Sequence, residues 1–119
     1  MTSIRSAALL ILFAASGPVS AARISPALAL KNYALTACIA KGLGSGPASQ
    51  KAAAAAREYL EHGGLPIEAY TEAVKLSSSF LAKPYSNIKG EDLIFIKCLE
   101  LYNSDALSNI VRKYSRKPR

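Results

Sequence analysis

The amino-acid sequence predicts an all-α protein: a small bundle of about five short helices, cross-linked by one disulfide and preceded by an N-terminal signal peptide. Apolar residues recur at helical spacing in segments that are separated by glycine and proline. No stretch sustains the alternation of apolar and polar residues that is typical of a β-strand. The chain begins with an export leader and then contains two cysteines, which favours a disulfide inside the bundle.

Residues 1–21 have the layout of a cleavable signal peptide. Arg5 supplies one positive charge, an apolar run of nine residues follows at 7–15, and a Gly-Pro pair ends it. Small residues then precede the next segment, so we expect cleavage near Ala21/Ala22. A transmembrane anchor is excluded because nine helical residues rise only about 13 Å, whereas the hydrocarbon core is about 30 Å thick. The remaining alternative is a buried amino-terminal helix.

The mature chain, residues 22–119, is expected to form one domain with a modest core. Removal of the leader takes one arginine, so the net charge falls from +7 to +6. A chain this short leaves much of its surface in water, so a covalent cross-link adds usefully to its stability. Most of its aromatic bulk comes from tyrosine: Tyr33, Tyr59, Tyr70, Tyr85, Tyr102 and Tyr114.

The two cysteines, Cys38 and Cys98, are predicted to form that cross-link. An even pair in an exported chain most often bonds, and both residues lie among apolar positions of predicted helices, so their thiols face the same core. Closing a loop of about 60 residues stabilises by about 4 kcal/mol in the chain-entropy model. A zinc site would need more ligands than these two and His62. A catalytic thiol would leave the other cysteine unpaired in an oxidising compartment.

Caps and breakers delimit the first two helices. The first is predicted from Ala27 to about Leu43. Ser49 is a favourable N-cap for a second helix over residues 50–62, and the glycine pair after it favours a C-terminus there.

Three further helices follow. Pro66 is predicted at the first position of the third, which ends near Lys83. Residues 91–92 are expected to open the fourth, and Asn103 or Ser104 to cap the fifth. The third helix is expected to bury Ile67, Tyr70, Ala73, Val74 and Phe80. The apolar positions of the last two are Leu93, Ile94, Leu101, Leu107, Ile110, Val111 and Tyr114.

The candidate catalytic residues lack chemical partners. His62 is the single histidine and precedes a glycine pair, and the serines at 77–79 are expected on the solvent side of a helix. The glycines at 42–46 lack the Gly-Lys-Ser/Thr ending of a phosphate-binding loop. Glu58 and Glu61 lie on an exposed helix face, where nothing isolates them from water for general acid–base catalysis. The sequence therefore predicts a protein that is not an enzyme and uses no metal or cofactor.

Basic residues concentrate at the carboxyl end, where residues 115–119 are predicted to be a disordered tail. Such charge favours nucleic acid as a partner, but an exported protein meets few nucleic acids. A solvated tail is therefore the favoured interpretation, and the mature chain is expected to have no transmembrane segment and to bind no nucleic acid. By elimination, its function is to bind another molecule.

Three stretches of the chain strongly resemble the type VI secretion amidase immunity proteins. They read NYALTACIAKG (32–42), YLEHGGLPIEAYTEAVKLSSSFLAK (59–83) and IKCLELYNSDALSNIVRKY (96–114). The resemblance covers residues 31–114 and includes the distinctive pair Lys97-Cys98. None of these pieces is a catalytic signature, since they look like packing, turn and cross-link residues.

The resemblance implies a specific function. Proteins of this family are periplasmic, all-helical homodimers that block a papain-like Cys-His amidase, which cuts the D-glutamyl–diaminopimelate bond of peptidoglycan. The immunity protein thereby protects the cell that produces it. Family complexes are two-to-two, with a protruding immunity-protein loop in the enzyme's cleft. Residues 22–114 are accordingly expected to form the immunity domain.

Two other functions stay open at this point. One is a periplasmic acid-stress chaperone, a class that is also small, helical and disulfide-bonded; the low content of acidic residues gives it no support. The other is an inhibitor of a different cell-wall hydrolase, which would use the same kind of loop in another cleft.

The segment KPYSNIKGED, residues 83–92, is the predicted effector-binding loop. Ten residues are long for a link between packed helices, since such links usually run two to eight. The family places its enzyme-blocking loop in this part of the chain, although an ordinary solvated linker is the alternative. Pro84 is expected to stop the preceding helix. The residues expected at the site are Tyr85, Ser86, Asn87, Ile88, Lys89 and Gly90.

Overall fold

The computed structural model describes residues 24–116, so the predicted signal peptide and its cleavage site lie outside the described residues. Within that range the chain forms five helices and no β-strand, which confirms the all-α prediction. None of these helices combines the length and the hydrophobicity that crossing a bilayer requires. The helices are α1 (Pro26–Leu43), α2 (Pro47–Glu61), α3 (Ile67–Leu81), α4 (Ile94–Tyr102) and α5 (Asp105–Ser115).

Helix α1 is the centre of the bundle and packs against each of the other four helices. Its buried side chains meet those of α3, α4 and α5, whereas α2 packs mainly on α1. Tyr70 is the largest fully buried side chain, and its ring packs edge-on against Tyr33 with 5.1 Å between centroids. The core consists of Leu30, Ala34, Cys38, Leu65, Ala69, Tyr70, Ala73, Cys98, Leu101, Leu107 and Tyr114.

A disulfide between Cys38 and Cys98 joins α1 to α4 and confirms the prediction. Both cysteines are fully buried, and their Cα atoms lie 5.7 Å apart, which is within the usual range for such a bond. The disulfide therefore fixes α4 to the central helix at the middle of the core.

The start of α2 differs from the prediction. Gly46, with φ of 96°, is the N-cap, and Pro47 takes the first helical position, for which its fixed φ suits it. Ser49 therefore lies inside the helix instead of capping it. Its buried hydroxyl donates to the Ala40 carbonyl at 2.8 Å and so ties α2 to α1.

Three predictions about α3 were wrong in detail. Pro66 is the N-cap residue rather than the first helical residue, and Ile67, predicted to be buried, has 55% of its surface exposed. Ser77, predicted on the solvent side, is fully buried. Its hydroxyl donates to the Val74 carbonyl at 2.7 Å, and this bond within the helix is what lets a polar side chain lie in the core.

The last two helices begin at different kinds of residue. Helix α4 begins at Ile94, because Asp92, predicted to open it, instead pairs with Ser86 in an isolated antiparallel bridge. Helix α5 has the predicted cap: the Ser104 hydroxyl accepts the amide proton of Leu107 at 3.1 Å. Helix α5 ends at Ser115, one residue into the predicted tail, and residues 117–119 lie outside the described part.

Candidate binding loop

The link between α3 and α4, residues 82–93, is the longest connection between helices in the described chain. The other links span only residues 44–46, 62–66 and 103–104. Every residue from 84 to 92 is exposed. We refer to residues 82–93 as the α3–α4 loop; it contains all six residues predicted at the binding site.

The tip of the α3–α4 loop is an ordered turn built around Asn87. The Gly90 amide donates to the Asn87 carbonyl at 2.9 Å. The Asn87 side-chain oxygen accepts two further amide protons, from Lys89 at 3.0 Å and from Glu91 at 3.1 Å. Gly90 has φ of 76°, in the left-handed region that favours glycine. Three hydrogen bonds to one residue, all of them within the turn, therefore give the tip a defined shape.

Ile88 lies within this turn, between Asn87 and Lys89. It is completely exposed, at 107% of the reference surface, and it is the most exposed large apolar side chain of the described residues. Single apolar side chains on a surface are common. An aliphatic side chain at the end of an ordered, projecting turn, however, is well placed to be buried by a partner.

The two ends of the loop are held by Lys97 of α4. Only 6% of its side chain is exposed, and its Nζ atom lies 2.8 Å from Asp92 Oδ1 and donates to the Leu81 carbonyl at 3.0 Å. Leu81 is the last residue of α3, and Asp92 precedes α4. Because Cys98 follows Lys97 and is bonded to Cys38, these contacts connect the loop to the disulfide-linked core.

A second lysine supports the side of the loop next to α3. Lys83 places its ammonium 3.9 Å from the centre of the Phe80 ring and 5.8 Å from that of Tyr85, which are cation–π distances. Its Nζ atom also lies 4.0 Å from Glu100 of α4. Tyr85 is therefore partly covered next to Lys83, with 38% of its surface exposed, whereas Ile88 is completely exposed.

The predicted site residues thus form one continuous structure, but two supporting residues were missed. Asp92 was predicted as a helix opener and Lys97 as a packing residue next to the disulfide. Lys97 carried a detectable signal, because it lies three residues after Ile94 and four before Leu101, on the apolar face of its helix. A lysine at such a position must find a partner, since a buried charge is costly unless it is paired.

Charged groups elsewhere are more exposed. Lys113 of α5 donates to Glu72 of α3 at 2.9 Å, and this hydrogen bond holds the pKa of Glu72 below its ordinary value and that of Lys113 above it. Glu58, Glu61 and His62 cluster at the exposed end of α2, with ligand atoms within 4.8 Å of one another. Exposed acidic clusters of this kind are frequent on helix ends, and we assign no site there.

Solved structures show the same fold in two effector–immunity systems. A chain in the Tae4/Tai4 effector–immunity structure from Salmonella typhimurium is 25% identical, with a TM-score of 0.71 over 76% of this chain and 90% of that chain. A chain in the complex of the effector Tae4 from Salmonella typhimurium with the immunity protein Tai4 from Enterobacter cloacae is 26% identical. Its TM-score is 0.64, over 74% of this chain and 91% of that chain.

A third structure, from the type VI-secreted toxins and self-resistance proteins of Serratia marcescens, supports the fold alone. It is 22% identical, with a TM-score of 0.67 over 96% of this chain and 86% of that chain. No curated protein shows a significant sequence match to this chain. The family model for Tai4, the type VI secretion system amidase immunity protein, matches residues 29–111, which span all five helices and the α3–α4 loop. The chain therefore belongs to the Tai4 family of type VI secretion system amidase immunity proteins.

Proposed function

We propose that this protein binds and blocks the active-site cleft of a cognate type VI secretion peptidoglycan amidase and thereby protects the cell that produces it. The target is a papain-like Cys-His enzyme that cleaves the D-glutamyl–diaminopimelate bond. Family membership supports the class of target, and the observation that carries the mode of binding is the ordered α3–α4 loop, which is exposed from residue 84 to residue 92 and has Ile88 at its tip.

The loop suits a cleft because its shape exists before binding. A turn already fixed by three hydrogen bonds loses less conformational entropy on association than a flexible segment does. Complete burial of the Ile88 side chain contributes about 1.5 to 3 kcal/mol. The protein inhibits by occupying the cleft and performs no chemistry of its own, in keeping with its membership of an immunity family.

The protein acts in the periplasm, where its target attacks the cell wall. The signal-peptide pattern of residues 1–21 supports this location. Protein extracted from the cell envelope is expected to begin at Ala22 or within about a residue of it, as measured by intact mass. A mass that still includes Met1 would contradict export by a cleavable leader.

The working form is a homodimer that makes a two-to-two complex. Helix α4 supports this, because Phe95, Ile96 and Leu99 leave 57%, 48% and 51% of their surfaces exposed. A two-fold axis would let this face cover its own copy. Light scattering is expected to give a dimer mass that Phe95→Glu reduces to a monomer, whereas a monomeric unchanged protein would remove this part of the proposal.

The loop is tested by exchanging its tip. Replacing residues 86–89 with a Gly-Ser segment of equal length is expected to leave the melting temperature nearly unchanged, because the tip makes no core contact. Inhibition of the cognate amidase should weaken at least tenfold, a loss of about 1.4 kcal/mol or more. The assay measures cleavage of cell-wall peptides at increasing concentrations of immunity protein.

Two exposed isoleucines provide a matched control. Ile88→Ser should reproduce part of the loss, whereas Ile67→Ser, at the start of α3 and 55% exposed, should inhibit as the unchanged protein does. If the tip exchange inhibits at the original concentration, the loop is only a connector and the binding site lies on the helix faces. Inhibition of a different wall hydrolase, or of none, would instead favour the other inhibitor class or the chaperone.

A further inference from the structure

Lys97 is the one charged side chain that is buried among residues 24–116. Residues of this type are almost never fully buried unless they are paired, because removing a charge from water is costly. An apolar side chain of similar size at this position of α4 would fill the same space without that cost, and replacements of this kind are often neutral or stabilising. Packing alone therefore does not account for a lysine here.

The contacts of Lys97 explain its position. The Nζ atom meets the last carbonyl of α3, on Leu81, and the carboxylate of Asp92, so it contacts the chain immediately before and after the exposed segment. Charge-assisted hydrogen bonds are stronger and more directional than neutral ones. Leu81 and Asp92 are eleven residues apart in the chain, and the single Nζ atom of Lys97 contacts both.

The ammonium itself is held in place by the core. Its neighbour Cys98 is bonded to Cys38, and both are fully buried. Asp92, by contrast, exposes 60% of its side chain and also forms the backbone bridge with Ser86, at the base of the turn. Lys97 therefore fixes Asp92 to the core, and Asp92 in turn holds Ser86 through the backbone bridge.

We propose that Lys97 is a positioning residue for inhibition: by holding Leu81 and Asp92 together, it keeps the α3–α4 loop in its binding-competent conformation. This inference rests on the proposed function, since it assigns Lys97 a role in inhibition without contact to the amidase. Without the contact between Lys97 and Asp92, a smaller fraction of molecules has the loop in this conformation. The apparent affinity for the amidase falls in proportion to that fraction.

Asp92→Ala is the first test because it removes the exposed partner and leaves every core side chain in place. Its melting temperature is measured as well, since the buried ammonium then keeps only the Leu81 carbonyl as a partner. In the full mature protein, the amides of Lys89, Gly90 and Glu91 should exchange with deuterium severalfold faster, since all three are protected only by the turn around Asn87. Inhibition of the cognate amidase should weaken about tenfold, which corresponds to about 1.4 kcal/mol. Asp92→Asn keeps an acceptor oxygen, so its amide exchange and its inhibition should lie between those of the unchanged protein and those of Asp92→Ala.

Glu100→Ala is the matched control. Its carboxylate also lies on the loop side of α4 next to a lysine, but at 4.0 Å from Lys83 and with both side chains partly exposed. Surface pairs of this kind contribute little, so amide exchange and inhibition should stay unchanged. Lys97→Met extends the test and should give at least the effect of Asp92→Ala, with correct folding confirmed by circular dichroism.

Combination with the tip exchange at residues 86–89 separates this proposal from the proposed function. If Lys97 acts through the loop, Asp92→Ala has no further effect on inhibition once the tip is replaced. Unchanged amide exchange in Asp92→Ala, or unchanged inhibition despite faster exchange, overturns the positioning role. A tip exchange that itself leaves inhibition intact overturns the proposed function, whatever the exchange rates show.

Discussion

The junction between α1 and α4 and the loop that precedes α4 are neighbours built in opposite ways. At the junction, Cys38, Cys98 and Leu101 are completely buried, and a covalent bond joins the helices. In the loop, residues 84–92 are all exposed, and hydrogen bonds within the turn give it its shape. Stability and binding are therefore expected to depend on different residues of one short region, and mutations can separate the two properties.

The largest expected effect lies at the junction. Cys98→Ser removes the disulfide, and the chain-entropy model assigns about 4 kcal/mol to a closed loop of this length. For a domain of this size that loss lowers the melting temperature by on the order of 15 °C or more. Calorimetry measures the shift, and Cys38→Ser should match it because both variants break the same bond.

Two outcomes would contradict the assignment of stability to the junction. One is a melting temperature of Cys98→Ser within a few degrees of the unchanged protein. The other is a titration of denatured, periplasmically produced protein that finds two free thiols. Either result would mean that the buried contacts of α4 hold the bundle together without the bond.

A pair of glycines compares the two regions directly. Gly44 and Gly90 both have φ of 76°, and a Cβ atom would meet nothing within 4 Å at either position. Alanine therefore adds only backbone strain, of about 1 kcal/mol, in both cases. Gly44 caps α1 through bonds to the carbonyls of Ala40 and Lys41, so Gly44→Ala should lower the melting temperature by about 5 °C and leave inhibition unchanged.

Gly90→Ala should show the opposite pattern. The same strain falls on the turn around Asn87, so inhibition should weaken about fivefold while the melting temperature barely moves. Measuring the melting temperature and the inhibition of both variants tests whether stability and binding depend on different residues. If Gly90→Ala melts as early as Gly44→Ala, the loop is part of the folding unit and the two regions are not independent.

The smallest expected effect lies outside both regions, at the pair of Glu72 and Lys113. The hydrogen bond from Lys113 lowers the pKa of Glu72 from its ordinary value of 4.5. The stabilisation is therefore fully present above that ordinary value and is lost as the pH falls through the lower pKa of the folded state. Both groups are exposed, so the contribution is small.

Glu72→Gln should consequently lower the melting temperature slightly at pH 7, and the difference from the unchanged protein should vanish in acid. Lys113→Gln supplies the control: in that background Glu72→Gln should show neither effect, because the partner of Glu72 is already absent. A difference that persists or grows at low pH would mean that Glu72 acts through packing instead of charge.

Much of the fold was predictable because its signals are local. Helix periodicity, the Ser104 cap and the cysteine pair depend on residues close in sequence or on a simple count, and each was confirmed. Ser49 and Ser77 were misplaced because their burial depends on neighbouring helices, which offer an acceptor or cover the surface only after the chain has packed.

The candidate site likewise has a part that the sequence predicts and a part that depends on packing. Length and composition predicted the loop and its six residues, since proline and glycine mark its limits in the sequence. The contact of Lys97 with both loop ends was not predictable, because Leu81 contributes a backbone carbonyl and any residue type provides one. Asp92 was predicted to open a helix because acidic residues favour that position. Only the packed structure shows that Asp92 instead pairs with the buried ammonium of Lys97.

The turn around Asn87 has a consequence for how such proteins diverge. All three of its hydrogen bonds run from backbone amides to Asn87, so the side chains at positions 86, 88 and 89 take no part in maintaining the turn. Substitutions at these positions therefore change the exposed surface of the loop while leaving the turn intact. Under the proposed mode of binding, changes at three codons are enough to alter the surface presented to a toxin, without a compensating change in the rest of the protein.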